Sequence, residues 1–301
     1  MAIHQPREDL VLVDLDLPRE GVRRFIAPWV LRRGTAVLLV DPGPRATVPV
    51  LLDALQELGV ARLDGILLTH IHIDHAGGAG LLLERFPGAA VVCHPKGIPH
   101  LADPTRLWEG SRKVLGDLAE AYGEIAAVPQ ESLIFGEALE LGAWRVSALE
   151  TPGHAAHHAS YVVGDVVFGG EVAGMRYELP SGVYQRPATP PVFYPDVYRA
   201  SIDRVAGVGA AHLCLGHYGL AERPAEVLEV AREQIEIWTA VAARCCGVEE
   251  GADEAILHEL LETDRHFARL RELPPDIQVR ERYFARNSIA GIRGAVAGER
   301  S

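Results

Sequence analysis

Six consecutive residues constrain this chain more than any others: His70-Ile71-His72-Ile73-Asp74-His75, placed directly after the apolar stretch 65–69. A brief apolar run of this kind reads as a buried strand. Residues two apart in an extended segment point to the same side. His70, His72 and Asp74 would then share one side, with Ile71 and Ile73 anchored in the core on the other. His75 would open a helix, and Ala76-Gly77-Gly78 are small enough to let that helix pack closely. Imidazole is the commonest metal-binding side chain. Three imidazoles and a carboxylate exceed what one ion takes from one segment, which points to two metals side by side. Strand ends in α/β sheets are also where ligand sites collect.

Such a centre needs ligands from elsewhere in the chain. Thr151-Pro152-Gly153-His154 follows a strand expected at 144–149. Leu215-Gly216-His217 follows another expected at 211–215. A strand-end histidine alone is weak, but the repeated placement draws both toward the same site. The chain holds 13 histidines, so five ligands at 70, 72, 75, 154 and 217 leave an ordinary remainder.

The surrounding pattern is α/β. Strands are expected at 24–31, 35–40, 64–69, 89–93, 144–149, 160–163, 166–168 and 211–215, and helices at 48–58, 77–86 and 107–122. Between 178 and 195 prolines cluster around Tyr184, Phe193 and Tyr194, which predicts an ordered, non-helical loop. Loops of that length usually carry function. From 225 onward the pattern is helical, with segments at 225–243, 252–270 and 282–296, and Pro274-Pro275 separating the last two. The expected organisation is an α/β domain over 1–220 and an all-helical C-terminal extension over 221–301.

Composition narrows the partners. Lys plus Arg is 29 against 41 for Asp plus Glu, a net charge of −12. Nucleic acids and anionic membranes demand basic patches, so neither is an expected partner. No run reaches the roughly 18 apolar residues of a membrane span, and the first residues, MAIHQPREDL, lack a signal pattern. Cys93, Cys214, Cys245 and Cys246 form no CxxC, which suits buried thiols in a reduced, cytoplasmic protein.

Taken in order, Val40-Asp41-Pro42-Gly43, His70 to His75, Thr151-Pro152-Gly153-His154, Gly169-Gly170-Glu171 and Gly216-His217 resemble the metallo-β-lactamase fold superfamily of metallohydrolases over about residues 20–220. The resemblance implies an αβ/βα four-layer sandwich with a dinuclear centre on one edge. By position, His70, His72 and His154 would hold one metal, and Asp74, His75 and His217 the other. The family usually bridges the two ions with aspartate. Here Glu171 occupies that place, and Asp165 reads better as a hairpin turn. Zinc is the expected metal, with iron or manganese as alternatives.

The implied activity is hydrolysis of a small or medium organic substrate (an ester, thioester, lactone or similar) by a metal-activated hydroxide. Asp74 would be both ligand and orienting carboxylate. The alternative on the same scaffold is a mononuclear iron dioxygenase of the persulfide dioxygenase type, favoured if Glu171 weakens the second site. His157, His158, Tyr184, Arg186 and Tyr194 are weaker candidates for contact with substrate or support of a ligand. By resemblance, 283–292 would approach the site, and the helical addition would shape a pocket or a homodimer contact.

Overall fold

Period-two patterning sets the layers of this molecule. A computed structural model describes residues 1–245 and 251–298. Its first sheet has seven strands in sequential order: β1 (Ala2–Arg7), β2 (Leu10–Asp14), β3 (Trp29–Arg33), β4 (Ala36–Val40), β5 (Gly65–Leu67), β6 (Ala90–Val92) and β7 (Leu133–Ile134). The first three pairings are antiparallel and the last three parallel. There follow β8 (Ala138–Leu141), β9 (Trp144–Glu150), β10 (Ala159–Val163) and β11 (Val166–Gly170), a separate hairpin of β12 (Met175–Leu179) and β13 (Gly182–Arg186), then β14 (His212–Leu215) and β15 (Leu220–Ala221). The second sheet runs β15-β14-β11-β10-β9-β8, and only β11 and β14 pair in parallel.

Alternate residues of one strand enter different cores. On β4, Leu38 and Val40 join Trp29, Leu67, Trp144, Val146 and Phe168 in the apolar layer between the sheets. Val37 and Leu39 face the other way, onto a cluster with Leu51 and Leu55 of the helix Val48–Glu57 and Leu82 of Ala79–Arg85. Both faces of β4 are buried, so it reads as a continuous apolar run. Helix Pro195–Ala206 packs on β9 and Pro224–Arg244 on β13, and Ala252–Thr263 and Pro275–Gly298 pack in turn on Pro224–Arg244. Ile202, Ile235, Trp238 and Ile289 belong to the same buried cluster as Val11 and Ile66. This is the expected sandwich of mixed sheets between helical layers, with helices from Pro224 to Gly298. Among the described residues no helix is long and apolar enough to cross a membrane.

Several elements differ from the sequence reading. The strand expected at 24–31 begins only at Trp29, because Arg24 is left-handed (φ 50°) and Pro28 donates no hydrogen bond. Strands β1 and β2 were not anticipated. The helix expected at 107–122 breaks at Gly116 (φ 55°) into Thr105–Leu115 and Asp117–Tyr122. The loop expected at 178–195 holds β13 and the end of β12, leaving only 187–194 irregular. The helix expected at 252–270 ends at Thr263, and a 3-10 turn Phe267–Glu272 follows. The last helix starts at Pro275, a residue pre-set for a first helical turn. Cys93 and Cys214 are buried and Cys245 is half-buried, while Cys246 lies outside the described residues.

Candidate functional site

Five strands end on one edge of the sandwich, and each delivers part of the site. Asp41 follows β4, Thr69 and His70 follow β5, Thr151 and His154 follow β9, Glu171 follows β11, and His217 follows β14. The motif after β5 folds differently from a continued strand. His72 is extended (φ −58°, ψ 145°), and the helix begins at Ile73 rather than His75. Asp74 and His75 therefore lie on a helical turn, Ile73–Ala76, with Asp74 in its first turn. Ile71 and Ile73 are buried, as the alternation predicts.

Two groups of ligand-type side chains result. His70, His72, His154 and Glu171 bring one ligand atom each within 4.8 Å of one another, and Asp74, His75 and His217 form the second group by the same measure. Glu171 reaches both. Its Oε2 lies 2.7 Å from His154 Nε2 and 3.4 Å from His70 Nε2, and its Oε1 lies 3.1 Å from His217 Nε2. His75 Nε2 is 3.7 Å from Oε2. Asp165 is remote, paired with Arg7 at the β10–β11 turn.

The outer contacts of the imidazoles orient them. His154 Nδ1 donates to Ala188 O (3.0 Å), His217 Nδ1 to Phe25 O (3.3 Å), and His75 Nδ1 to Asp41 Oδ2 (3.1 Å). Thr69 Oγ1 donates to Asp41 Oδ2 (2.7 Å), so it accepts from His70 Nδ1 (3.1 Å). Four rings thus use Nδ1 outward and turn Nε2 inward, the arrangement that metal-binding histidines show. His72 instead turns Nδ1 inward, 3.0 Å from His154 Nε2. His70 Nε2 and His75 Nε2 are buried without a hydrogen-bond partner. Orphan nitrogens of that kind are costly, and a divalent cation would satisfy them. The donor set, nitrogen and carboxylate oxygen, suits zinc, manganese or iron.

Electrostatics follow from burial and crowding. Burial and the neighbouring histidines hold His70 and His72 well below the ordinary imidazole value, so both are neutral. Burial also pulls on His75, but Asp74 and Asp41 outweigh it and push that group up to about 9. Glu171 is held well below the carboxylate range, because His154 and His217 outweigh its burial.

Asp41 is the residue whose role sequence reasoning missed. It is left-handed (φ 48°) and buried, and it accepts from both Thr69 N (2.8 Å) and Thr69 Oγ1 while holding His75. The signal was the Asp41-Pro42-Gly43 turn after a buried strand. Gly170 has a comparable reason. At φ 54°, an added Cβ would sit 2.4 Å from His158 Nε2 and 2.8 Å from Thr69 Cβ, so only glycine lets β11 present Glu171.

The weaker candidates separate. His157 lines the cavity beside the cluster, and burial lowers it to about 4. His158 does not line it. This ring is buried behind Glu171, with Nε2 accepting from Glu171 N (3.1 Å) and Nδ1 facing Thr151 Oγ1 (2.9 Å). Tyr184 is also outside the cavity. Its side chain is buried in the hairpin and its hydroxyl donates to Glu281 (3.0 Å). Arg186 lines the cavity, but its guanidinium is held by Glu281 at 2.6 Å. Tyr194 stands exposed at the rim.

The cavity encloses about 640 Å³ and opens onto His72, Asp74, His154, Glu171 and His217. Phe284, Asn287 and Ser288 of the last helix form part of its wall. Tyr122, at the end of Asp117–Tyr122, is a second residue that sequence reasoning missed. It lines this cavity with a buried hydroxyl that has no protein partner.

Comparison with known proteins agrees with this geometry. The model of the metallo-β-lactamase superfamily matches residues 21–217. A metallo-β-lactamase fold-containing protein of Sulfurisphaera tokodaii is 33% identical over 216 residues, 68% of this chain and 80% of that one. A hydroxyacylglutathione hydrolase of Acidiphilium cryptum is 32% identical over 139 residues, but the match spans only 46% of this chain and 44% of that enzyme. Among solved structures, an archaeal superfamily protein from Sulfolobus tokodaii superposes with a TM-score of 0.63 at 27% identity, covering 89% of this chain and all of that one. A family member from Thermus thermophilus gives 0.64 at 23% identity, over 98% and 95%. The chain belongs to the metallo-β-lactamase superfamily and is a hydrolase of it.

Proposed function

We propose that this protein is a dinuclear metallohydrolase, with zinc as its native metal, acting on an ester, thioester or lactone of small or medium size. The observation that carries the reading is the inward convergence of Nε2 from His70, His75, His154 and His217 on both oxygens of Glu171. His70, His72 and His154 would hold one cation, Asp74, His75 and His217 the other, and Glu171 would bridge. Two divalent cations there supply Lewis acidity, which lowers the pKa of water toward neutrality and polarises a carbonyl oxygen.

The chain's own groups supply the rest. Asp74 lies on the cavity wall and is in position to accept a hydrogen bond from an attacking water, fixing the direction of its lone pair. His157, neutral with Nδ1 facing Ile71 N at 3.5 Å, keeps Nε2–H as a donor beside the reacting centre. The apolar walls hold a substrate out of bulk water, which strengthens each polar contact inside. The Glu171 side chain exceeds the usual aspartate by one methylene, and the left-handed Gly170 sets its backbone behind the cluster.

The test pairs elemental analysis with a panel of esters, thioesters and lactones. Two zinc per chain, activity lost on dialysis against a chelator and regained with zinc, are the expected results. One iron per chain with no hydrolysis would replace this reading with the dioxygenase one.

A further inference from the structure

The helix Thr105–Leu115 buries none of its residues. Its sequence is nevertheless two-sided. Leu107, Ser111, Val114 and Leu115 fall on one face by helical spacing, while Glu109, Arg112 and Lys113 lie elsewhere. That stripe lines the catalytic cavity, with Leu107 and Leu115 also packing partly buried against the core and Val114 left exposed. The loop 187–194 lines the same cavity, with Val192 and Tyr194 among its lining residues. Val114 is 70% exposed, Val192 76% and Tyr194 62%. Two partly exposed apolar surfaces therefore line one cavity together with the ligand cluster. Paired exposure of this kind marks a binding surface, and the volume is that of a small-molecule site.

Charge narrows the occupant. Outside the ligand cluster, the charged residues lining the cavity are Arg106 and Arg186. Arg186 is tied to Glu281, which it shares with Arg280, and Arg106 is exposed. The rest of the lining carries no charge, so it suits an uncharged chain.

Resting on the hydrolase reading above, we infer that the substrate is a medium-chain acyl ester or thioester whose apolar chain lies between the helix Thr105–Leu115 and the loop 187–194. Hydrolysis adds water across the acyl bond, releasing the chain as a carboxylate and the leaving group as its alcohol or thiol. Chain length then sets specificity. Each methylene that enters the cleft raises kcat/KM about fourfold, until the cleft is filled.

The experiment uses p-nitrophenyl esters from acetyl to decanoyl on the zinc-loaded protein, with calorimetric binding of the free carboxylates of the same lengths as a second readout. Rising kcat/KM and tightening Kd with length are expected. Val114→Asp and Val192→Asp should each lower the octanoyl-to-acetyl ratio about tenfold or more. Val114→Ile should keep the ratio. So should Val279→Asp, which changes an exposed apolar residue of the last helix outside this cavity. If short esters are hydrolysed but neither kcat/KM nor Kd changes with length, the inference is overturned and the hydrolase reading stands. If no ester turns over but binding still follows length and is lost in Val114→Asp, the cleft assignment stands and the reaction is wrong. If neither turnover nor length-dependent binding appears, both are overturned.

Discussion

The two walls of the cavity are built on opposite principles. The strand-end wall is over-determined. Asp41, Thr69, Ala188 and Phe25 fix four imidazoles, and His158 fixes the backbone of Glu171. The facing wall, from the helix Thr105–Leu115 and the loop 187–194, presents exposed apolar side chains. The contrast teaches where reaction and selectivity reside. A reacting centre needs ligands held closely in place, so it sits on sheet ends tied by hydrogen bonds. The proposed chain-binding surface needs only apolar area, which a helix and a loop apart from the sheet ends supply.

The sharpest way to break this contrast is His72→Ala, which should lower activity by more than about 100-fold, beyond the usual effect of losing an outer partner. Metal content should fall with it, as elemental analysis would show. A variant that kept full metal and full activity would remove the strand-end wall from the chemistry. Next comes Glu281→Gln, on the helical side. Glu281 is buried against Arg186 (2.6 Å) and Arg280 (2.9 Å), and its removal leaves two guanidiniums uncompensated. A loss of about 3–5 kcal/mol in denaturant unfolding is expected, with metal stoichiometry unchanged in the folded fraction.

Asp41→Asn tests whether the outer partners matter as the geometry implies. It should weaken metal binding or activity about 10–100-fold, measured by competition with a chelating dye. Tyr122→Phe should act in opposite senses on two measurements. Removing an unpartnered buried hydroxyl leaves the melting temperature equal or higher, while kcat/KM falls about 2–10-fold if the hydroxyl bonds substrate. Unchanged kinetics would make Tyr122 a packing residue only.

Asp14 belongs to neither wall and provides the smallest effect. Burial, with Asp16 nearby, pushes its carboxyl up to about 6 from an ordinary 3.8. Between those values the native state holds a proton that the unfolded chain has released, so stability falls as pH rises through that window. Asp14→Asn should remove this loss. Its melting-temperature advantage over the parent should grow from pH 4 to 6 and then level off; a constant difference would count against the shift.

Much of the strand-end wall was legible in the sequence, because its chemistry is local. The histidines at 70, 72 and 75 are neighbours in the chain, and strand-then-histidine placement at 154 and 217 repeats one backbone geometry. Asp41 was visible as a turn but not as a partner, since its contact to His75 spans 34 positions. The hairpin of β12 and β13 was hidden by Pro180 in its turn and the prolines that follow it, so Tyr184 and Arg186 were read as loop residues. Only the last part of that segment is a loop.

The sequence by itself determined the family, the candidate ligands and the strand ends that carry them, because each follows from residues close together in the chain. The tertiary structure decided what those residues meet: Glu171 between two groups of imidazoles, Tyr122 with an unpartnered hydroxyl, and a two-sided helix whose apolar stripe lines the cavity at the edge of the core. Those relations join residues far apart in the chain, and burial and distance between such residues exist only once the sheets and helices have packed.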